Sequence, residues 1–184
     1  MRGTGIRLGA VVALAVAAGV VTWLLVGRDK SSGTASTPTT VTTPGAGIGP
    51  VGVSPAGLGT MVNTIHQPVY WAGARPGNTY EFTQTSAGKV YVRYLPAGVK
   101  VGDKRADFLI VATYPFANAY AALKKVAAGR EIALQGGGIA FVDPGYPKSV
   151  HIAYPKVPYQ VEVFDPSPAQ SLQVALSGTV APVS

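Results

Sequence analysis

Histidine has the side-chain pKa closest to neutrality, so His66 and His151 are the first candidates for proton transfer or metal binding. They stand eighty-five residues apart, and neither has a carboxylate or second histidine at a ligand spacing such as HExxH or HxH. Each is expected to be a surface or capping residue. The absence of cysteine removes thiol nucleophiles, thiolate metal sites, disulfides and lipid attachment through cysteine. Ser86, Ser149, Ser167, Ser171 and Ser177 have no GxSxG or SxxK setting. Asp103 and Asp107 fall in a lysine-rich turn, while Glu81 and Glu162 are each centred in an alternating strand and directed away from its apolar face. All four are expected to be solvated. Gly136-Gly137-Gly138 follows a strand, as a phosphate loop would, but strand-like IAFV comes next instead of Lys-Ser or Lys-Thr and a helix. It reads as a hairpin turn or bulge. These patterns supply no catalytic residue, metal ligand or cofactor.

The residues left to do chemistry are aromatic and cationic. They occupy two stretches, Pro68-Val69-Tyr70-Trp71-Ala72-Gly73-Ala74-Arg75 and the Tyr/Pro-rich run from Tyr146 to Tyr159. Flat rings beside Arg or Lys can stack on sugar rings or grip a peptide with little loss of side-chain entropy. The candidate ligand contacts are therefore Trp71, Arg75, Tyr146, His151 and Tyr154, expected to converge in part where loops gather at a sheet edge. The competing role is a core tryptophan with strand-end tyrosines.

Those residues lie in only part of a chain of 184 residues, whose composition is uneven. Hydrophobic residues make up 47% and charged residues 12%, about half the charge expected of a soluble globular chain. The excess apolar character points to lipid. Leu8 to Val26 (LGAVVALAVAAGVVTWLLV) is uncharged, and as a helix it would measure about 28 Å, enough to span a bilayer. Arg2 and Arg7 precede it, Arg28, Asp29 and Lys30 follow, and Trp23 sits near one end. A cleavable signal peptide is the alternative, but this run exceeds the 7–15 residues typical of a signal core. Lys and Arg tie on the two sides, the N-terminal amine favours N-inside, and residues 31–74 carry no charge to oppose export.

Residues 1–7 are accordingly expected to be cytoplasmic, 8–26 to form a transmembrane anchor and 27–55, rich in Ser, Thr, Gly and Pro, to be a flexible linker. All nine tyrosines and all five phenylalanines come later, so residues 56–178 are expected to form one extracytoplasmic domain, with 179–184 as a tail. From residue 54 onward there are eleven Lys and Arg against seven Asp and Glu, spread along the chain, which does not suit nucleic-acid binding.

Within the domain, Ser54-Pro55 caps a helix carrying Leu58, Met61, Val62 and Ile65. Tyr80 and Phe82 alternate in one strand, and Val90, Val92 and Tyr94 in the next. A three-residue loop ending in left-handed Gly88 sets Tyr80 opposite Tyr94 and Phe82 opposite Val92, with Glu81 across from Arg93 on an exposed face. Asp107 to Thr113 reads as a central strand, and Phe116, Tyr120, Leu123 and Ala127 as one face of a helix stopped at Gly129. Four short strands follow (131–134, 139–142, 150–153 and 160–164), then a helix from Ser167-Pro168 to Gly178. The fold class is α+β, a mainly antiparallel sheet packed by two or three helices.

The apolar N-terminal run, the Thr/Pro linker, VYWAG at 69–73, YVRYLP at 91–96 and VEVFDPSPA at 161–169 together resemble uncharacterised single-span envelope proteins of actinobacterial type. The resemblance implies a location and no activity. The chain is expected to be a membrane-tethered binding module of the envelope, held to the membrane by residues 8–26, with cell-wall glycan or another envelope protein as partner. An accessory or structural subunit of a membrane complex and an extracytoplasmic enzyme are the alternatives.

Overall fold

The computed structural model describes residues 47–184. The predicted anchor at 8–26, the segment before it and most of the linker lie outside the described residues. Among the described residues no helix is long and apolar enough to cross a membrane.

The described chain is α+β, with a mainly antiparallel sheet and three helices. In chain order the elements are β1 (Ile48–Val53), α1 (Pro55–Ile65), β2 (Tyr70–Trp71), β3 (Asn78–Gln84), β4 (Val90–Pro96), β5 (Ile110–Pro115), α2 (Ala119–Ala127), β6 (Ile132–Ala133), β7 (Ile139–Val142), β8 (Ser149–Ala153), β9 (Tyr159–Phe164), α3 (Pro168–Leu176) and β10 (Ala181–Pro182). Eight strands form one sheet in the order β1-β3-β4-β5-β9-β8-β7-β6, while β2 and β10 pair separately. The β3–β4–β5 and β6–β7–β8–β9 meanders meet along β5 and β9, and the connection through α2 carries the chain to the far edge.

Local sequence chemistry accounts for most of these elements. The Ser54 hydroxyl accepts the Gly57 N–H at 3.1 Å, Pro55 occupies the first turn of α1, and exposed His66 closes that helix in the left-handed conformation. His66 is thus the capping histidine expected. In the β3–β4 hairpin, Tyr80 faces Tyr94, Glu81 faces Arg93 and Phe82 faces Val92. The Thr85 N–H donates to the Lys89 carbonyl, leaving a three-residue loop with Gly88 at φ +74°, as loop length and strand parity require. The three glycines at 136–138 lie in the short turn between β6 and β7, also as expected.

Other sequence expectations are corrected. Residues 48–53, placed in the linker by composition, form edge strand β1 on β3. Residues 181–182, placed in the tail, pair with Tyr70 and Trp71, and Val180 and Val183 are buried. The central strand begins at Ile110 instead of Asp107 and runs through Pro115, although Phe108 and Leu109 are already buried.

The largest correction concerns the second face of the sheet. One face carries Phe82, Val92, Val111, Ile152 and Val163 beneath α1, α3 and β2–β10. The other is not solvated: α2 covers Ile139, Phe141 and Ala153, and the loop from 97 to 109 lies over the β3–β4 end. Glu81, Arg93 and Glu162, expected on a solvated face, are therefore buried, and so is His151, expected on the surface or at a cap.

Candidate functional site

The two-residue strand β2 crosses the first face and delivers Trp71 half-buried at its edge. The Trp71 ring meets Tyr80 edge-on at 5.8 Å, and Tyr80 meets Tyr94 edge-on at 5.2 Å. The Arg75 guanidinium lies over the Tyr94 ring, 5.5 Å from its centre. Both tyrosine hydroxyls tie down the loop between them. Tyr94 Oη accepts the Ala72 N–H at 2.6 Å and donates to the Gly73 carbonyl, while Tyr80 Oη accepts the Arg75 N–H at 2.7 Å and donates to the Arg75 carbonyl. Burial is the main cause pushing the Tyr94 phenol well above its usual range, so it stays a hydroxyl donor throughout the physiological range. Trp71 and Arg75 are thus presented by a loop whose backbone is held by the sheet beneath it, with little ordering left for a ligand to cause.

The other sequence candidates are dispersed. Half-buried Tyr154 stacks on Tyr70 at 6.2 Å, one residue from Trp71 and on the same face. Tyr146 is 48% exposed in the β7–β8 turn, and β8 is four strands from β3, roughly 19 Å across the sheet. His151 lies on the opposite face. Trp71 and Arg75 therefore come together over Tyr80 and Tyr94, with Tyr154 beside them through Tyr70. The two supporting tyrosines were missing from the sequence candidates, although their facing register in the hairpin was there to be read.

The second face holds a polar row. Glu162 is 3% exposed, and its two carboxylate oxygens accept from Tyr114 Oη and Ser149 Oγ, each at 2.6 Å. Tyr91 packs edge-on against Tyr114, and its phenol is pushed up to about 12, chiefly by burial. His151 faces Glu162 across β8–β9, and its Nδ1 is buried without a hydrogen-bond partner. Further along the same face, Arg93 pairs with Glu81 at 2.6 Å and stacks on Phe108. Exposed Arg105 grips Asp103 through both carboxylate oxygens, holding that carboxyl down at about 2. Apart from His151 Nδ1 and Thr83 Oγ1, which are buried without a partner, the carboxylates of this row are held by donors from inside the protein, which is the arrangement of a structural network. Among the described residues no cluster of three or more His, Asp and Glu is arranged to hold a metal ion.

Burial makes the charged form of His151 costly and lowers its pKa from 6.5, against smaller opposing pulls from Glu162 and Asp143. The unfolded chain then binds a proton that the folded one resists, so this residue makes stability fall as pH drops through the unfolded value. Urea midpoints measured from about pH 7 to about pH 5 should decline more steeply for the wild type than for His151→Phe. Equal slopes would mean that His151 is protonated as easily folded as unfolded.

No protein-family model, curated protein or solved structure matches the chain.

Proposed function

We propose that this chain is a membrane-tethered, non-catalytic binding module of the cell envelope, with its folded domain outside the cytoplasm and a flat, ring-bearing ligand such as cell-wall glycan received at Trp71 and Arg75. The observation that carries this reading is the half-buried Trp71 indole against Tyr80 and the Arg75 guanidinium over Tyr94, both on a loop that these two tyrosines hold. An aromatic ring and a cation presented on one loop supply a stacking surface and a directional donor, a combination suited to sugar rings and their hydroxyls. The uncharged run at 8–26 and the charge-free stretch at 31–74 support tethering and export. The Glu162 row does not favour an enzyme, because its carboxylate is closed in and already committed to two hydroxyls.

The test is Trp71→Ala, scored for both retention on isolated wall polymer and thermal midpoint. Loss of a stacking anchor should weaken retention by about 1–3 kcal/mol with the fold intact. A drop in stability of about 3–5 kcal/mol, with binding lost only through unfolding, would instead make Trp71 a core residue. Stable co-purification with a membrane complex in mild detergent, without wall retention, would favour the accessory-subunit alternative.

A further inference from the structure

Residues 47–74 and 166–184, which supply α1, β2, α3 and β10 over the first face of the sheet, contain no Asp, Glu, Lys or Arg. Arg75 stands at the edge of that uncharged layer. Its setting differs from that of the other arginines among the described residues. Arg93 pairs with Glu81, Arg105 grips Asp103, and Arg130 donates to the Ala127 carbonyl. Half-buried Arg75 has the Tyr94 ring at 5.5 Å and, among the described residues, neither a carboxylate nor a hydrogen-bond acceptor for its guanidinium. The next carboxylate along the chain, Glu81, is turned to the other face and committed to Arg93 and the Gly102 N–H.

We infer that Arg75 is an anion subsite beside Trp71, and that the glycan received there bears a carboxylate or a phosphate. The inference rests on the binding reading above and names the class of ligand within it. A guanidinium presents five N–H donors in a planar fork, which two oxygens of a carboxylate or phosphate fill better than a neutral hydroxyl does. Arg93 and Arg105 already have such a partner inside the protein, and Arg75 does not. Its place is fixed beforehand. The Tyr80 ring meets the Trp71 indole, and the Tyr80 hydroxyl bonds the Arg75 N–H and carbonyl, so the stacking surface and the cation are both set by one side chain. A sugar ring on Trp71 and an acidic substituent on Arg75 would then be held by two different forces, apolar stacking and charge.

The experiment uses the full chain in detergent with Trp23→Phe, which leaves Trp71 as its one tryptophan. Indole fluorescence and the Arg75 Nε–H resonance are followed as sugars are added. Each charged sugar is set against an uncharged counterpart. The disaccharide of N-acetylglucosamine and N-acetylmuramic acid, whose lactyl group is a carboxylate, is compared with the N-acetylglucosamine dimer, and N-acetylglucosamine 1-phosphate with N-acetylglucosamine. At least one charged sugar should bind about tenfold more tightly than its counterpart, and which one does so tells carboxylate from phosphate. Raised salt should narrow the gap. Arg75→Gln should close it, and Arg75→Lys should keep part of it, since lysine preserves the charge without the fork.

Equal affinity for charged and uncharged sugars, or a gap that Arg75→Gln leaves unchanged, would overturn the anion subsite while the glycan reading stands. Acetate or inorganic phosphate that shifts the Arg75 resonance, with no sugar bound by the chain, would support the subsite and overturn the glycan reading. No response to any of these compounds would overturn both. An unchanged thermal midpoint for Arg75→Gln shows that a closed gap is not unfolding; if that variant unfolds, Arg75→Lys and the salt dependence still read the gap.

Discussion

Replacing Arg93 with methionine is expected to remove about 3–5 kcal/mol from the unfolding free energy, the usual cost of leaving one member of a buried ion pair uncompensated. Glu81 is 0% exposed and Arg93 1%, and their 2.6 Å contact is shielded by the 97–109 loop. The loop depends on the pair in turn. Glu81 Oε2 accepts the Gly102 N–H, Arg93 Nη2 donates to the Arg105 carbonyl at 2.8 Å, and Phe108 lies beneath both guanidinium groups. Glu81→Leu should cost a similar amount because it strands the guanidinium. The double variant Glu81→Leu with Arg93→Met should recover most of the loss, since neither charge then remains to be desolvated. Urea denaturation of the four proteins reads the cycle. Hydrogen exchange across residues 100–107 should accelerate in either single variant, and additive losses would mean that the pair acts as two independent residues.

That ion pair marks where sequence periodicity stops being informative. Strand alternation correctly put Glu81 opposite Arg93, because two-residue periodicity and loop length fix which side chains share a face. It carried no information on whether that face meets water. The cover comes from α2 and from a loop that is polar by composition, and its placement follows from topology. The same gap hid Glu162 and His151: each alternates with apolar neighbours as a surface residue would, yet the row lies under cover. Strand β1 was hidden for a different reason. IGPVGV holds two glycines and a proline, a poor strand by propensity, and it forms because β3 offers a hydrogen-bonding edge. Strands β2 and β10 are two residues long, too short for any period to register. At the candidate site, Trp71 and Arg75 were legible from type and spacing. The loop-holding roles of the Tyr80 and Tyr94 hydroxyls were not, because bonds to Ala72 and Arg75 exist only once the chain has folded back. Tyr146 belonged to the same reading by residue type and by its place at a strand end, and the sheet order separates it.

Glu162→Leu is expected to cost about 2–4 kcal/mol even though it replaces a buried carboxylate with an apolar side chain of comparable size. The cost arises from the partners left behind. Tyr114 is 8% exposed and its hydroxyl gives its hydrogen to Glu162, so the substitution removes a charged acceptor and leaves the neighbouring Tyr91 hydroxyl as a weaker partner. Ser149 is only half-buried and can turn to water, so it contributes less. Tyr114 also shows how strongly the pair is polarised: burial comes first and the Glu162 charge second in raising its phenol far above the ordinary value of 10.0. Glu162→Gln should be milder, since the amide keeps one acceptor and the hydroxyls can rotate to accept from its NH₂. The deciding comparison is Tyr114→Phe in both backgrounds. In the wild type it should destabilise, by removing a charge-assisted hydrogen bond and leaving a carboxylate oxygen short of a donor. In the Glu162→Leu background it should cost much less, because the hydroxyl then has only the neutral Tyr91 partner to lose. A loss that shrinks sharply from the first background to the second, read from urea midpoints at constant m-value, identifies Tyr114 and Glu162 as one coupled network. If Tyr114→Phe has the same effect in both, the hydroxyl and carboxylate are independent, and a chemical role for Glu162 with some other group would have to be considered again.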